Sequence, residues 1–441
     1  MGKHTYTAGG ISDMWRLGAS LTIAAGLVFT VSACMPLRPV TYDPAPIVCG
    51  QTKSLHEGRI GFLNASENFS LASQAGVFLD EEFPGPFVWD RIQSSFGAPY
   101  AFSEPDAIVQ RAQVYGFSLT GILWPYAEWD QKSYGLGTTC QGGGYSQSLP
   151  PHRCRPDDDD AYSDFVYQVV ERYDGDGLYD MEGLCGSISR WEVIATPSRQ
   201  QVIGGIGTFR GEAVDYFNLL RVTFEGVKDS CPQCNVQYGA LDGTDEESLG
   251  FLEKVLRLGG AEFFDAVSLH STSSHVASDI TRVTALLESY HHPKPVWVTR
   301  LEAEDAPTFT DGLVKGMTEA FAAGAEQVYY PLLSSDARVV PEQNRIALID
   351  VDGGPTSAYR VLQSFIQKLG KWESAEMIAP GRYRFDREGD VPLYIVWEAS
   401  GEAGSTVDVV SGDLRVTGLD GTMETKNVDG MLVTADPIYI E

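Results

Sequence analysis

The chain has 441 residues, of which 43% are hydrophobic and 21% charged, a composition typical of a soluble globular protein. This length is sufficient for one large domain with a small second one. The formal net charge of −28 argues against a nucleic-acid partner, because phosphate binding needs clustered Lys and Arg. An acidic surface favours solubility but does not specify a substrate.

The N-terminus is predicted to be a targeting segment. Residues 17–33 are apolar, and small residues directly precede Cys34. This pattern resembles the lipobox of bacterial lipoproteins, which implies a signal peptide over 1–33 and a lipid on Cys34. Residues 34–57 are Pro-rich and are predicted to be a tether from the lipid to the folded domain. The alternative is a transmembrane anchor, for which 17 residues is the lower limit of about 17 to 25.

Two details of this segment bear on translation and sorting. Starting at Met14 instead of Met1 would give a compact basic region before the apolar stretch. Met35, and not Asp, follows Cys34. By resemblance to enterobacterial sorting, this favours an exported lipoprotein of the outer membrane, either periplasmic or surface-exposed.

Six further cysteines form an even set, which in an exported chain predicts disulfides. The predicted pairs are Cys140 with Cys154, Cys231 with Cys234 and Cys49 with Cys185. A redox or zinc site at Cys231 and Cys234 is the alternative, but neither a thioredoxin-like context nor a second ligand pair accompanies it.

Strand-like runs alternate with amphipathic helical runs over residues 58–370. The fourth strand contains Trp191, Val193 and Ile194 and stops at Pro197. The other seven are predicted at 59–64, 76–80, 117–123, 236–240, 264–270, 295–300 and 327–333. Eight strand–helix pairs predict an α/β fold, a closed (β/α)8 TIM barrel. Short strands with Gly-rich turns over 371–441 predict a small β-sandwich-like domain.

Two of these strands carry a family resemblance. The run Trp191-Glu-Val-Ile-Ala-Thr-Pro197 resembles the fourth strand of clan A glycoside hydrolases around family 39, which reads Trp-Glu-Val-x-Asn-Glu-Pro. The run Pro295-Val-Trp-Val-Thr-Arg300 resembles their seventh strand, Pro-Val-Trp-Val-Thr-Glu. The resemblance implies a glycosidase barrel, in which two carboxyl groups about 5 to 5.5 Å apart act as acid/base and nucleophile.

Both catalytic positions are substituted in this chain. Thr196 and Arg300 stand where the family has its two Glu residues, and Ala195 replaces the preceding Asn. A threonine hydroxyl cannot protonate a glycosidic oxygen at neutral pH, and a guanidinium has no lone pair with which to attack. Since general acid/base assistance alone is worth about 10²- to 10⁴-fold, the substitutions predict an inactive pseudo-glycosidase.

Other carboxylates are candidates for relocated catalysts. Glu302 lies two residues beyond Arg300, about 6.6 Å further along the same strand face. It is the first candidate, ahead of the acidic run 80–82, although an ion pair with Arg300 is the favoured interpretation. Glu192 is predicted to point toward the barrel floor as a buried, hydrogen-bonded residue.

Several side chains near the predicted strand ends are candidates for sugar binding, because aromatic faces stack on sugar rings. They are Trp89, Trp124, Tyr126, Trp129, Tyr238 and Tyr330, together with His270. The last of these matches a His that ends the family's sixth strand, but the Tyr expected soon after it is missing. Packing of the barrel rim is the alternative role for the aromatic residues.

Two loops have further features. The long insertion over 130–160 follows the third strand, so a lid on the carboxyl-end face is expected. The run Asp174-Gly-Asp-Gly-Leu-Tyr-Asp180 resembles calcium loops but falls short of EF-hand spacing, so calcium stays open as an alternative. No metal site and no cofactor are assigned.

Three functions follow from the sequence. The first is an envelope-anchored, inactive glycoside-hydrolase-like lipoprotein that binds a glycan or an envelope partner through the carboxyl-end face. The second is an active hydrolase of a polysaccharide that uses Glu302. The third is a structural subunit of a cell-envelope assembly.

Overall fold

The computed structural model describes residues 58–131, 140, 149–199, 201–202, 205–303, 309–331, 348–350, 352–399 and 405–441. The predicted signal peptide and tether, with Cys34 and Cys49, lie outside these residues. Within these ranges, no helix combines the length and apolar character needed to cross a bilayer.

Eight parallel strands close into a barrel, as the sequence predicts. Each strand pairs with its neighbours in chain order, and the first pairs with the last through Ile60 and Val328. The strands are β1 (Ile60–Leu63), β2 (Leu79–Glu81), β3 (Ser118–Leu123), β4 (Arg190–Val193), β5 (Asn235–Asp242), β6 (Ala266–Thr272), β7 (Val296–Glu302) and β8 (Gln327–Pro331). A short hairpin, Gln201–Val202 with Gly205–Ile206, follows β4.

Helices connect the strands. They are α1 (Phe69–Gln74), α2 (Trp89–Ile92), α3 (Ser103–Val114), α4 (Glu128–Gln131), α5 (Asp159–Tyr173), α6 (Ala213–Ser230), α7 (Glu246–Arg257), α8 (Val276–Ser289), α9 (Phe309–Ala322) and α10 (Ser357–Leu369). The acidic run before α5 supplies its cap, because the Asp158 side chain accepts a hydrogen bond from the Ala161 amide at 3.0 Å.

The two faces of the barrel strands differ in character. Outward residues such as Trp191 and Val193 are fully buried in the apolar layer between strands and helices. The interior is polar. Thr120 on β3 and Tyr329 on β8 are 3.3 Å apart between hydroxyl oxygens, although these strands are not neighbours, so the contact crosses the barrel. Because strand side chains alternate, Glu192 between Trp191 and Val193 faces this interior.

A second sheet of six antiparallel strands follows the barrel, in agreement with the predicted small β-domain. Its spatial order is β9-β10-β11-β14-β12-β13, formed by β9 (Trp372–Ala379), β10 (Arg382–Arg387), β11 (Leu393–Val396), β12 (Asp413–Gly418), β13 (Met423–Asn427) and β14 (Ile438–Ile440). Trp372 packs edge-on against Phe321 of α9 with ring centroids 4.9 Å apart, which fixes this sheet to the barrel.

The disulfide predictions are confirmed where the structure describes both cysteines. Cys140 is bonded to Cys154, with Cα atoms 5.1 Å apart, and Cys231 to Cys234, with Cα atoms 5.3 Å apart. In this bonded form the two sulfurs are buried and carry no thiolate with which to bind zinc. Cys185 is disulfide-bonded as well, and its predicted partner Cys49 lies outside the described residues.

Candidate functional site

The chain just beyond β4, around Thr196, has an unusual backbone. Ile194 and Thr196 both have φ of 50°, a left-handed conformation that β-branched residues rarely adopt. The Thr196 amide donates to the Ala240 carbonyl at 3.1 Å, and its hydroxyl oxygen lies 3.1 Å from that of Thr208. Thr196 is therefore engaged with protein groups on both its backbone and its side chain.

The Tyr216 hydroxyl on α6 holds this bend from behind. It donates to the Val193 carbonyl at 3.1 Å and accepts from the Gly239 amide at 2.8 Å. Its ring is fully buried, so these bonds form without competition from water. One side chain thus ties the end of β4 to the middle of β5.

Arg300 on β7 is paired with Glu302, which lies two residues further along the same strand. Its Nη2 lies 2.5 Å from Oε1 of Glu302, and both side chains are about half exposed, at 43% and 50%. This is the ion pair that the sequence analysis favoured. An exposed pair contributes only about 0 to 1 kcal/mol to stability, but it places a positive charge directly on the only acidic residue of β7.

His270 on β6 lies next to Arg300 in the β6–β7 register. Loss of solvation, followed by the charge of Arg300, lowers the pKa of His270 to about 3. The imidazole is therefore neutral at physiological pH and cannot serve as a general acid there.

Two carboxyl groups lie inside the barrel and not at its mouth. Glu81 and Glu192 are 1% and 0% exposed. Burial raises the pKa of Glu192 to about 7, and burial, followed by the charge of Glu192, raises that of Glu81. Glu192 is buried inside the barrel, as the sequence predicts. Hydrogen bonding from Ser268 and from the Ala240 backbone lowers its pKa, but by less than burial raises it. The Ser268 hydroxyl also donates to Gln237 at 2.7 Å.

Most of the predicted sugar-stacking residues are part of the core. Trp89, Trp124, Tyr126, Tyr238 and Tyr330 are all 0% exposed, so none presents a ring face to a ligand. Tyr238, for example, follows Val236 on the outer face of β5 and packs edge-on against Tyr216, 5.1 Å away between centroids. The structure therefore supports a packing role for these five residues.

Trp129 differs from the other predicted aromatics, because it keeps partial exposure. Its indole donates to the Gln93 carbonyl at 2.8 Å, and its ring lies edge-on to Phe96 with centroids 6.2 Å apart. Phe96 is 74% exposed in the loop between α2 and α3, which lies after β2 on the carboxyl-end face. Phe96 is not among the residues predicted from the sequence. The only sequence feature that points to it is an aromatic residue within a Ser- and Gly-rich loop.

Together the described residues at the strand ends hold Thr196, a neutral His270 and the Arg300–Glu302 pair. The carboxyl groups of Glu81 and Glu192 are buried inside the barrel. Among the described strand-end carboxylates, Asp242 and Glu302 are about half exposed, and each forms an ion pair with an arginine, Arg199 and Arg300 respectively.

A scan of the sequence against protein-family models finds no match, and a search of curated proteins finds none either. Solved structures do match. A family 39 glycoside hydrolase from Bacteroides cellulosilyticus WH2 superposes with a TM-score of 0.64 at 15% identity, covering 88% of this chain and 81% of its own. A family 39 β-xylosidase from Caulobacter crescentus gives 0.58 at 13% identity, covering 89% and 98%.

A family 30 xylanase from Talaromyces cellulolyticus gives a TM-score of 0.53 at 11% identity, covering 86% of this chain and 96% of its own. Identities this low establish the fold alone. This chain, a closed eight-stranded barrel followed by an antiparallel β-domain, therefore shares its fold with these glycoside hydrolases, in agreement with the fold that the motifs of the fourth and seventh strands predict.

Proposed function

We propose that this protein is a glycoside-hydrolase-like barrel that binds a glycan on its carboxyl-end face without cleaving it. The observation that carries the proposal is the Arg300–Glu302 ion pair at the end of β7. The guanidinium of Arg300 stands where the resemblance places a nucleophile, and its charge offsets that of Glu302. With Thr196 at the other position, both steps of a retaining mechanism lack their group.

The structural neighbours suggest which glycan to try first. Two of them are named a β-xylosidase and a xylanase, so xylan and its oligosaccharides are the first ligand class. The exposed Phe96 beside Trp129 supplies an aromatic ring on the same side of the barrel as the strand ends. The face of such a ring can stack on the apolar C–H surface of a sugar.

The test measures binding and turnover on a panel of polysaccharides, xylan included, and aryl glycosides. We expect saturable binding of at least one glycan, weakened about two- to tenfold in Phe96→Ala, since an aromatic contact is worth about 0.5 to 1.5 kcal/mol. Leu432→Ala, which removes an exposed apolar side chain from the β-domain, is the matched control and should bind normally. Failure of every glycan to bind would refute the glycan-binding proposal.

Turnover separates this proposal from the alternative of a relocated catalyst. Glu302 is half exposed at the carboxyl end of β7, which is the observation in favour of an active enzyme. We expect hydrolysis at background level in the wild type and in Glu302→Gln alike. Robust wild-type hydrolysis that disappears in Glu302→Gln would establish Glu302 as a catalyst instead. Absence of both binding and turnover would favour the third candidate, a structural subunit of the envelope.

The proposed location is the cell envelope, through a lipid on Cys34. The support is the apolar segment followed by small residues before that cysteine. We expect Cys34→Ala to move the protein from the membrane to the soluble fraction, because a single residue carries the anchor. Cys185→Ala, which changes a cysteine far from the lipobox, should stay with the membrane. If Cys34→Ala still sediments with membranes after signal cleavage, the lipobox assignment is wrong.

A further inference from the structure

The turn between α5 and β4 lies on the amino-end face of the barrel, opposite the strand ends discussed above. It brings together three carboxylates, those of Asp174, Asp176 and Asp180. One oxygen from each lies within 4.8 Å of one from each of the others. Such spacing is short enough for a single ion to contact all three at the 2.3 to 2.6 Å typical of calcium.

One of the three carboxylates is buried with an unused oxygen. Asp174 is 4% exposed. Its Oδ1 accepts from the Asp176 amide at 3.2 Å, whereas its Oδ2 is buried and has no hydrogen-bond partner among the described residues. A buried anionic oxygen left without a donor is unfavourable, and it is explained if a cation occupies the space beside it.

The charges around the turn are not balanced by nearby side chains. In the described part of the chain, none of the three carboxylates forms an ion pair with Lys or Arg. Arg172, at the end of α5, pairs with Asp106 at 2.6 Å instead. Asp174 also caps the carboxyl end of α5, where the helix dipole already places partial negative charge. A fourth carboxylate, the buried Glu171, lies one turn earlier on the same helix.

We propose that Asp174, Asp176 and Asp180 bind a divalent cation of the hard, oxygen-seeking class, with calcium preferred over magnesium. Three carboxylates on an irregular turn suit calcium, which accepts six to eight oxygens in flexible geometry. Magnesium demands a near-ideal octahedron and usually keeps several waters with one or two carboxylates. The remaining calcium positions would be filled by water.

The ion has a structural task in this position. The Asp180 carboxylate accepts from the Gly175 amide at 3.1 Å and from the Gly177 amide at 2.8 Å, so it already closes the turn. A cation shared with Asp174 and Asp176 ties this closed turn to the end of α5. The turn leads into β4, so the ion stabilises the connection that positions the strand.

The test is a calorimetric titration of the full-length protein with CaCl2 after removal of divalent ions with EGTA, together with a melting curve at each calcium concentration. We expect one site per chain and a melting temperature that rises with calcium, because a ligand of the native state stabilises it. Magnesium at the same ionic strength should bind at least about tenfold more weakly. Equal affinity for the two ions would overturn the calcium assignment.

Three variants locate the site. Asp174→Asn and Asp176→Asn should each weaken calcium binding by at least about tenfold, since each loses a charged ligand. Asp176 is exposed and its amide replacement can still accept from Leu178, so this variant folds even if Asp174→Asn does not. Glu182→Gln removes one exposed charge from the same loop and should bind as the wild type does. Absence of binding by the wild type at about 10 mM calcium, or unchanged affinity in Asp176→Asn, would refute the site.

Discussion

Replacing Glu192 with glutamine is expected to raise the free energy of unfolding at pH 8 and to change it much less at pH 5. Glu192 is fully buried inside the barrel, next to a second buried carboxyl group, Glu81. Burial raises the pKa of Glu192 from an ordinary value of 4.5 to about 7. At pH 8 the native state therefore holds a buried charge that has lost its hydration, and glutamine removes that charge while keeping the shape.

The sign of the pH dependence follows from proton binding. Between about 4.5 and 7 the native state keeps the proton that the unfolded chain has released, so unfolding releases protons and stability falls as pH rises. The loss is complete above the folded pKa of about 7. A difference of 7 − 4.5 = 2.5 pH units corresponds to about 3 kcal/mol for this group. The raised pKa of Glu81 acts in the same direction.

Urea denaturation of wild type and variant from pH 5 to pH 8 measures this effect. The difference between the two proteins isolates Glu192 from the general repulsion of a chain with net charge −28. Glu182→Gln, an exposed carboxylate, is the control and should track the wild type at every pH. A variant that is less stable than the wild type at pH 8 would show that the Glu192 carboxylate is stabilised by contacts other than those described.

The second large effect is expected for Gly239→Ala, which should unfold the protein or cost about 3 kcal/mol or more. A Cβ at this position on β5 would lie 2.0 Å from the Ile194 carbonyl oxygen and 2.5 Å from that of Val193. Both are backbone atoms, so no side-chain rotation can make room. The Tyr216 hydroxyl and the Thr196–Ala240 hydrogen bond hold them in place.

Gly250→Ala is the matched control, because it makes the same change in the middle of α7. A Cβ there would meet nothing within 4 Å, and the helical backbone accepts alanine. We expect a gain of about 0.5 to 1 kcal/mol. Soluble yield and urea midpoints compare the two variants. Wild-type stability in Gly239→Ala would mean that the left-handed bend after β4 is far more mobile than its hydrogen bonds indicate.

The barrel architecture could be predicted from local sequence patterns. Strand and helix periodicity placed all eight barrel strands, because alternation of apolar residues is a local property of each segment. The motif around Trp191 and the run before Arg300 identified the fold that the solved structures share. The pairing of Cys140 with Cys154 also followed from the short loop between them, since sequence neighbours meet with little loss of chain entropy.

Which side chains can face a ligand depends on tertiary packing and could not be predicted from local patterns. Tyr238 and Tyr330 lie in the core because the alternation of side chains along their strands points them outward, where helices cover them. The distance of a residue from a strand end predicts neither its side-chain direction nor its cover. Phe96 became a candidate only through its exposure beside Trp129.

The electrostatic features of the site also depend on the tertiary structure. The sequence permitted an Arg300–Glu302 pair, but other acids near the strand ends were equally possible partners. The buried, unpartnered Oδ2 of Asp174 and the raised pKa of Glu192 were not foreseeable at all. Hydrogen-bond satisfaction and burial depend on atoms from several distant segments, and those distances are fixed only when the barrel closes.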